Sequence, residues 1–360
     1  MPRVTPADGP VAVTGASGYV GSHVVLALVK RGYTVRACVT DSSNPRKTSC
    51  LIGLNQGGYP GRVELRTANL FREGDYDETF TECAAVLHVG APLGYRGTNG
   101  PRQVYDGAVN GTGNVINSVK KSGNVKRVVY TSSFAAINHP EAPGYVFTEQ
   151  DWASDNRLGD PAWTPDNIDR KPGIAYAMGK VASERMAFRM AAEDGRFDVI
   201  SVCPSVVLGP LLSAANGLAG SWQYIVGKML AGQPCTRGWQ YLWNIVDVRD
   251  VAQAHALIVE SDNCENGSRY QLTASDRAGE LNVEELQTHL ARLFPQINVG
   301  GPPKEYAEIV TRFGGPFDGP RAYCDRARTE LGLKTHPVDD TLFETGRTMI
   351  EFGLVKPALK

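Results

Sequence analysis

From residue 11 to about 210, short β-branched apolar runs alternate with segments of helical period. The runs at 11–14, 33–39, 62–66, 84–90, 125–131 and 197–203 predict strands. Val24, Val25, Leu28 and Val29 form the apolar stripe of a helix after the first of them. Alternation of this kind implies a parallel sheet with helices on its faces. Polar residues rarely interrupt the strands, as in Ala84-Ala85-Val86-Leu87 and Arg127-Val128-Val129-Tyr130, which is expected when both sheet faces are covered.

These observations predict the α/β class: a doubly wound parallel sheet of the Rossmann type over residues 1–210, with ligands at the carboxyl ends of its strands. After Pro210 the pattern breaks into Gly- and Pro-punctuated pieces, with helix-like segments at 247–260 and 282–293. Residues 211–360 are therefore read as a smaller C-terminal substrate-binding lobe, from which 244–260 returns to the Rossmann core. Asp, Pro, Gly and Asn crowd around Trp152 and Trp163, so 149–173 is read as a long loop near the active site.

Composition narrows the partners. The 360 residues carry 37 Lys and Arg against 38 Asp and Glu, a formal net charge of -1, so no global basic field recruits nucleic acid or an anionic membrane. A small molecule is the expected partner. Seven scattered cysteines without a C-x-x-C pair argue against a disulfide framework and a zinc site. The six histidines show no ligand spacing, and no metal is expected. The chain enters its first strand without a signal-like segment and holds no apolar run of about 20 residues, so a cytoplasmic protein is expected, as a monomer or a homodimer.

The first strand leads into Thr14-Gly15-Ala16-Ser17-Gly18-Tyr19-Val20-Gly21. Gly15 suits a tight turn, Gly18 a close backbone approach to a pyrophosphate, and Gly21 the packing of the next helix, whose N-terminus attracts phosphate. The second strand ends at Val39, which is not acidic, and Arg46-Lys47 follows within reach of a 2′-phosphate. NADPH is therefore expected over NADH, with Asp41 the residue that argues for NADH.

Tyr176 and Lys180 stand four residues apart and share one helix face. Carbonyl reduction needs a proton donor for the developing alkoxide, and a nearby ammonium makes a phenol a better acid at neutral pH. Ser132 and Ser133 end the strand at 125–131, where a hydroxyl can polarise a carbonyl. The residues alone leave open which serine acts.

Together these residues resemble the extended short-chain dehydrogenase/reductases, in the branch of dihydroflavonol reductase, cinnamoyl-CoA reductase and fungal aldehyde reductase. The likeness extends to His88-Val89-Gly90-Ala91-Pro92, to Val109-Asn110-Gly111-Thr112, to Cys203 through Pro210 and to Asn244 through His255. It implies an NADPH-dependent reductase of ketones or aldehydes, with Ser133, Tyr176 and Lys180 catalytic. It places Gly15, Ser17, Gly18, Tyr19, Val20 and Gly21 along the dinucleotide and Lys47 at the 2′-phosphate. Asn69 and Leu70 fall near the adenine, Val89, Gly90 and Ala91 along the ribose, and Pro204, Ser205 and Val207 along the nicotinamide. Asn110 would position a water that relays protons from Lys180. Three positions depart from the branch: Thr40 replaces its arginine after the second strand, Asn69 its adenine-binding aspartate, and Gly173 through Lys180 its cinnamoyl-CoA signature, which argues against a CoA thioester substrate.

Asn138 aligns with an asparagine that meets substrate hydroxyls, or is a turn residue before His139-Pro140. Phe134 replaces a small residue beside the serine and reshapes the pocket entrance. Trp222, Tyr224, Trp239, Tyr241 and Trp243 line an apolar pocket or pack a core. The rival readings are a 3β-hydroxysteroid dehydrogenase, a nucleotide-sugar epimerase and a dinucleotide sensor without chemistry. Phe134-Ala135, where sugar dehydratases carry an acidic pair, and the presence of Tyr176 and Lys180 count against the last two.

Overall fold

The computed structural model describes residues 1, 3–91, 100–142, 144–169, 172–217, 222–235, 242–274, 279–313 and 321–360. The first half runs β1 (Val11–Thr14), α1 (Tyr19–Lys30), β2 (Thr34–Val39), α2 (Pro45–Gly53), β3 (Arg62–Thr67), α3 (Asp77–Phe80), β4 (Ala85–His88), α4 (Pro101–Ser122), β5 (Arg127–Thr131), β6 (Val146–Phe147) and α5 (Pro172–Asp194). The second runs β7 (Asp198–Pro204), β8 (Val206–Leu208), α6 (Trp222–Leu230), β9 (Trp243–Asp247), α7 (Val248–Val259), β10 (Arg269–Leu272), β11 (Glu280–Leu281), α8 (Val283–Leu293), α9 (Glu305–Phe313), β12 (Arg321–Ala322), α10 (Asp325–Leu331) and α11 (Val338–Glu351).

Seven parallel strands form the central sheet in the order β10-β7-β5-β4-β1-β2-β3. Six of them are the apolar runs seen in the sequence. The seventh, β10, reads Arg269-Tyr270-Gln271-Leu272, a mixture that hides a strand whose four residues are all buried. Its polar groups find partners inside: Gln271 donates to the carbonyls of Phe147 and Tyr323, and Arg269 meets Glu184. Burial of such groups is tolerated only with partners.

Helices α1 and α7 cover one face of the sheet, burying Val24, Leu28, Val251 and Ile258 with Val13 and Val35. On the other face α4 and α5 bury Val115, Ile116, Ala187 and Ala191 against Val86 and Val128. The chain leaves the sheet at Ser205, whose N–H bonds the Leu272 carbonyl, and enters a second sheet through β8, β9 and β11. Around that sheet Leu230, Trp243, Phe294 and Leu342 make a separate core. Trp243 is a core residue there, with Trp222 edge-on at 5.0 Å, while Tyr224 is exposed. Trp239 and Tyr241 lie outside the described residues, as does Pro92.

At the amino-terminal edge of the main sheet, the first residues of β5 and β7 form a buried two-pronged ion pair. Arg127 reaches both Asp198 oxygens, at 2.9 and 2.8 Å. Its other N–H groups bond the carbonyls of Ile258, Ser261 and Met1.

Candidate functional site

The order of strands places β1 beside β4 and puts a topological switch point at their carboxyl ends, where open α/β sheets bind ligands. The turn after β1 is backbone against backbone. Gly15 has φ +64°, and a Cβ there would stand 2.6 Å from Gly90 Cα, so only glycine fits. A Cβ on Gly21 would stand 2.1 Å from the Gly15 carbonyl, so α1 sits directly on the turn. Gly18 caps α1, and the N–H groups of Tyr19, Val20 and Gly21 have no carbonyl one helical turn back to bond. Oriented donors, the positive end of a helix and absent side chains make a cradle for a pyrophosphate, and the residues fit a dinucleotide.

Polar contacts lock this edge. Thr14 Oγ1 accepts from the Gly90 N–H and lies 2.8 Å from His88 Nδ1, while His88 Nε2 lies 3.3 Å from the Thr112 hydroxyl. Burial pushes the His88 imidazole down to about 3, so the ring stays neutral. His88 thus ties β1, β4 and α4 together. Tyr19 donates to the Gly209 carbonyl, His23 lies 2.9 Å from the Pro210 carbonyl, and Asn216 donates to the Ser17 carbonyl. Three side chains therefore fasten the segment after β8 to the glycine turn. From the other lobe, Thr345 and Thr348 of α11 accept from the N–H groups of Gly209 and Leu211.

Around the adenosine end, Asn44 caps α2 and puts Arg46 and the exposed Lys47 in its first turn. Asp41 is turned onto its neighbour: one carboxylate oxygen accepts from both the N–H and the hydroxyl of Ser43. Asn69 Oδ1 accepts from the Phe71 N–H, and Leu70 packs against Gly111 of α4. Val89, Gly90 and Ala91 follow β4 half-buried, and Pro204, Ser205 and Val207 continue β7 into β8 along the same cleft edge.

At the carboxyl end of β5 the two serines part company. Ser132 is buried, and its hydroxyl donates to Glu184 at 2.6 Å. Ser133 is half-buried, with Oγ accepting the Ala135 N–H at the start of a short 3-10 turn. Alternation along extended backbone turns the two hydroxyls to opposite sides. Helix α5 then presents Tyr176, Lys180 and Glu184 at successive turns of one face. Tyr176 is half-buried and Lys180 is 3% exposed. The Lys180 ammonium donates to the Thr131 carbonyl at 2.7 Å and stands 6.0 Å from the Tyr176 ring centroid and 5.2 Å from that of Tyr130. Burial lowers Lys180 to about 8, against the opposing pull of Glu184 and Cys203. The helix comes this close to α4 because Gly179 lies where a Cβ would be 3.3 Å from Tyr105 Cα.

Phe134 packs edge-on against Phe147 in a small apolar cluster with Ile137, Cys203 and Ala322. Asn138 is half-buried just after the 3-10 turn, and its N–H bonds the Phe134 carbonyl. Asn110 is exposed on α4. Two residues the sequence reading passed over join the site: Glu184 and Arg269 form an ion pair at 2.8 Å behind Lys180. The spacing of four from Lys180 was a signal for Glu184. For Arg269, in a strand hidden by its polar residues, there was none. Among the described residues no cluster of His, Cys, Asp and Glu suits a metal ion, and no helix is long and apolar enough to cross a membrane.

The chain is similar to known proteins over most of its length. A cinnamoyl-CoA reductase from Medicago truncatula is 31% identical over 346 residues, 95% of each chain. Tetraketide alpha-pyrone reductase 1 of Arabidopsis thaliana is 28% identical over 98% of this chain and 99% of its own. Among solved structures, the yeast methylglyoxal/isovaleraldehyde reductase complexed with NADPH superimposes with a TM-score of 0.77 at 22% identity, covering 96% of this chain and 99% of that one. Residues 11–272 match the NAD dependent epimerase/dehydratase family. The chain belongs to that family, as an oxidoreductase of its extended short-chain dehydrogenase/reductase branch that uses a nicotinamide dinucleotide.

Proposed function

We propose that the chain is an NADPH-dependent carbonyl reductase in which Tyr176 protonates the substrate oxygen, Ser133 donates a hydrogen bond to it and Lys180 holds the phenol and the nicotinamide ribose. The observation that carries this reading is the buried Lys180 ammonium, fixed by the Thr131 carbonyl beneath Tyr176, with the Ser133 hydroxyl on the same strand end. NADPH, when bound, supplies the hydride. The chain's residues do the rest: Ser133 polarises the carbonyl, Tyr176 releases its phenolic proton to the developing alkoxide, and Lys180 stabilises the phenolate that remains.

The dinucleotide lies along Gly15 to Gly21, with its adenosine by Asn69 and Leu70, its ribose by Val89 to Ala91 and its nicotinamide by Pro204, Ser205 and Val207. Preference for NADPH rests on Lys47 and Arg46 in the first turn of α2, and on Asp41, whose carboxylate is engaged by Ser43. The part of residues 211–360 built around β8, β9 and β11 takes the carbonyl substrate, whereas the return to the central sheet is made by α7 and β10 rather than by 244–260. Asn138 offers the substrate an amide, and Phe134 narrows the entrance from beneath. Ketones and aldehydes suit the site better than a CoA thioester, given Gly173 through Lys180.

The test is oxidation of NADPH and of NADH by the purified protein over aromatic aldehydes, α-keto esters, diketones, dihydroflavonols and 3-ketosteroids. Turnover with NADPH, reduced about 10²- to 10⁴-fold in Tyr176→Phe, is the expected result. Dinucleotide binding without turnover on any of them overturns it.

A further inference from the structure

Glu184 is a carboxylate with no exposed surface, and its surroundings differ from those of an ordinary buried ion pair. It accepts from two serine hydroxyls, Ser132 after β5 and Ser201 in β7, and from the guanidinium of Arg269 in β10. One side chain on α5 therefore spans three neighbouring strands of the sheet.

Arg269 continues the chain of contacts outward. Its Nη1 donates to the carbonyls of Glu149 and Asp151, at 2.8 and 2.7 Å, and its guanidinium lies 3.8 Å from the centroid of Trp152. The guanidinium of Arg185 lies on the same indole at 4.4 Å. The Ala136 carbonyl, three residues after Ser133, accepts from the Ala153 N–H, which closes the circuit back to the strand end. The long loop read from the sequence as lying near the active site is thus clamped at its start by Arg269, whose carboxylate partner also holds the neighbour of Ser133.

We propose that Glu184 and Arg269 act as a positioning pair, fixing Ser133, Lys180 and the loop at 149–152 in one frame. This rests on the reading that Ser133, Tyr176 and Lys180 carry out the reduction. Neither residue touches substrate; each acts through others. Ser132 fixes the peptide that aims Ser133. Glu184 stands one helical turn from Lys180, and Arg269 sets where the loop meets the cleft. Misplacement of reacting groups by about 1 Å costs about 100-fold in rate, so a loosened frame reads out in kcat before it reads out in cofactor binding.

A second readout is electrostatic. The groups facing Lys180 are Tyr176 and Glu184 on α5, Tyr130 on β5, Cys203 on β7 and His88 on β4. Burial keeps His88 neutral and raises the Cys203 thiol to about 12, so Glu184 is the anion that supports the charged lysine. Replacing it with a neutral side chain lowers the pH at which Lys180 loses its proton.

The experiment compares Glu184→Gln, Arg269→Met and the double variant with the parent enzyme. Stability, NADPH binding, kcat, KM and the pH profile are followed, together with Trp152 emission read against Trp152→Phe. Removing one partner strands a buried charge and removing both does not, so the double variant recovers stability lost in the single ones. Expected are NADPH binding within about twofold of the parent, kcat lowered about 10- to 100-fold in Glu184→Gln and in the double variant, and an alkaline limb moved to lower pH. Trp152 should become more accessible to quencher wherever Arg269 is replaced. Recovery of kcat along with stability in the double variant overturns the proposal, as does an unchanged kcat and pH profile in folded Glu184→Gln. If Glu184→Gln does not fold, the double variant decides. Full turnover by Tyr176→Phe removes the catalytic reading and this proposal together, whereas loss of turnover there with an unaffected Glu184→Gln removes the proposal alone.

Discussion

Two buried ion pairs, Arg127 with Asp198 within the sheet and Glu184 of α5 with Arg269 of β10, have surroundings that assign them different work. At the amino-terminal edge, the Arg127 guanidinium spends its remaining donors on backbone carbonyls from the end of α7, the loop after it and Met1. That pair closes on the fold and nowhere else. Further along the strands, where Arg269 lies level with Ser201 in the middle of β7, Glu184 and Arg269 bond side chains and loop carbonyls next to Ser133 and Lys180. The chemistry is the same in both. What each pair bonds decides whether it serves stability or the site: backbone carbonyls at the amino-terminal edge for Arg127, and groups that reach toward the carboxyl ends, where open sheets bind ligands, for Glu184 and Arg269.

The comparison breaks most visibly at its structural member. Asp198→Ala should lower unfolding free energy by about 3–5 kcal/mol, since it strands a buried guanidinium, while kcat of the folded fraction stays at the parent value. Denaturant melts and active-site-normalised turnover check both halves. Ser133→Ala should cost about 10²- to 10³-fold in kcat with little change in melting. Ser132→Ala reverses the balance, costing about 1–3 kcal/mol of stability as Glu184 loses a donor, with a smaller effect on rate. Measuring the two serines side by side sharpens the contrast between support and chemistry.

A pH series comes next in size. Burial lowers Lys180 to about 8, and in the proposed mechanism the protonated form holds the phenolate. Reductive kcat should therefore be level below that pH and fall by about tenfold per unit above it. The smallest effect concerns a glycine outside both regions. Gly113 lies inside α4, where an added Cβ would meet Met186 at 3.7 Å, an ordinary contact. Gly113→Ala should stabilise the enzyme by about 0.5–1 kcal/mol without touching kcat, as thermal melting will show.

What the sequence disclosed follows the same division. The glycine turn was legible because backbone contacts demand one residue type: Gly15 meets Gly90, and no other residue fits. Tyr176 and Lys180 were legible because helical spacing puts them together, the inner strands because they are largely apolar, and the edge strand β3 because Val63 and Leu65 alternate with charged residues. Which serine is buried against Glu184 was not, since Ser132 and Ser133 differ only in where the pleat sends them. Nor was Arg269 legible, which stands 85 residues from Glu184 and in a strand whose polar groups are satisfied by distant partners. The lock of Tyr19, His23 and Asn216 onto the segment after β8 was hidden for the same reason.

The return of the chain from the small lobe bears on its birth at the ribosome. The central sheet is complete only when β10, ending at Leu272, pairs with β7, and its outer face is covered only when α7 docks on α1. Between Pro210 and that strand the ribosome must extrude much of another lobe. At ~5–20 residues per second this interval lasts roughly 3 to 12 seconds, during which the open edge of β7 and the bare side of α1 face solvent. The first 210 residues therefore await a late segment, and nascent chains arrested between the two points are the ones for which a chaperone has most to cover.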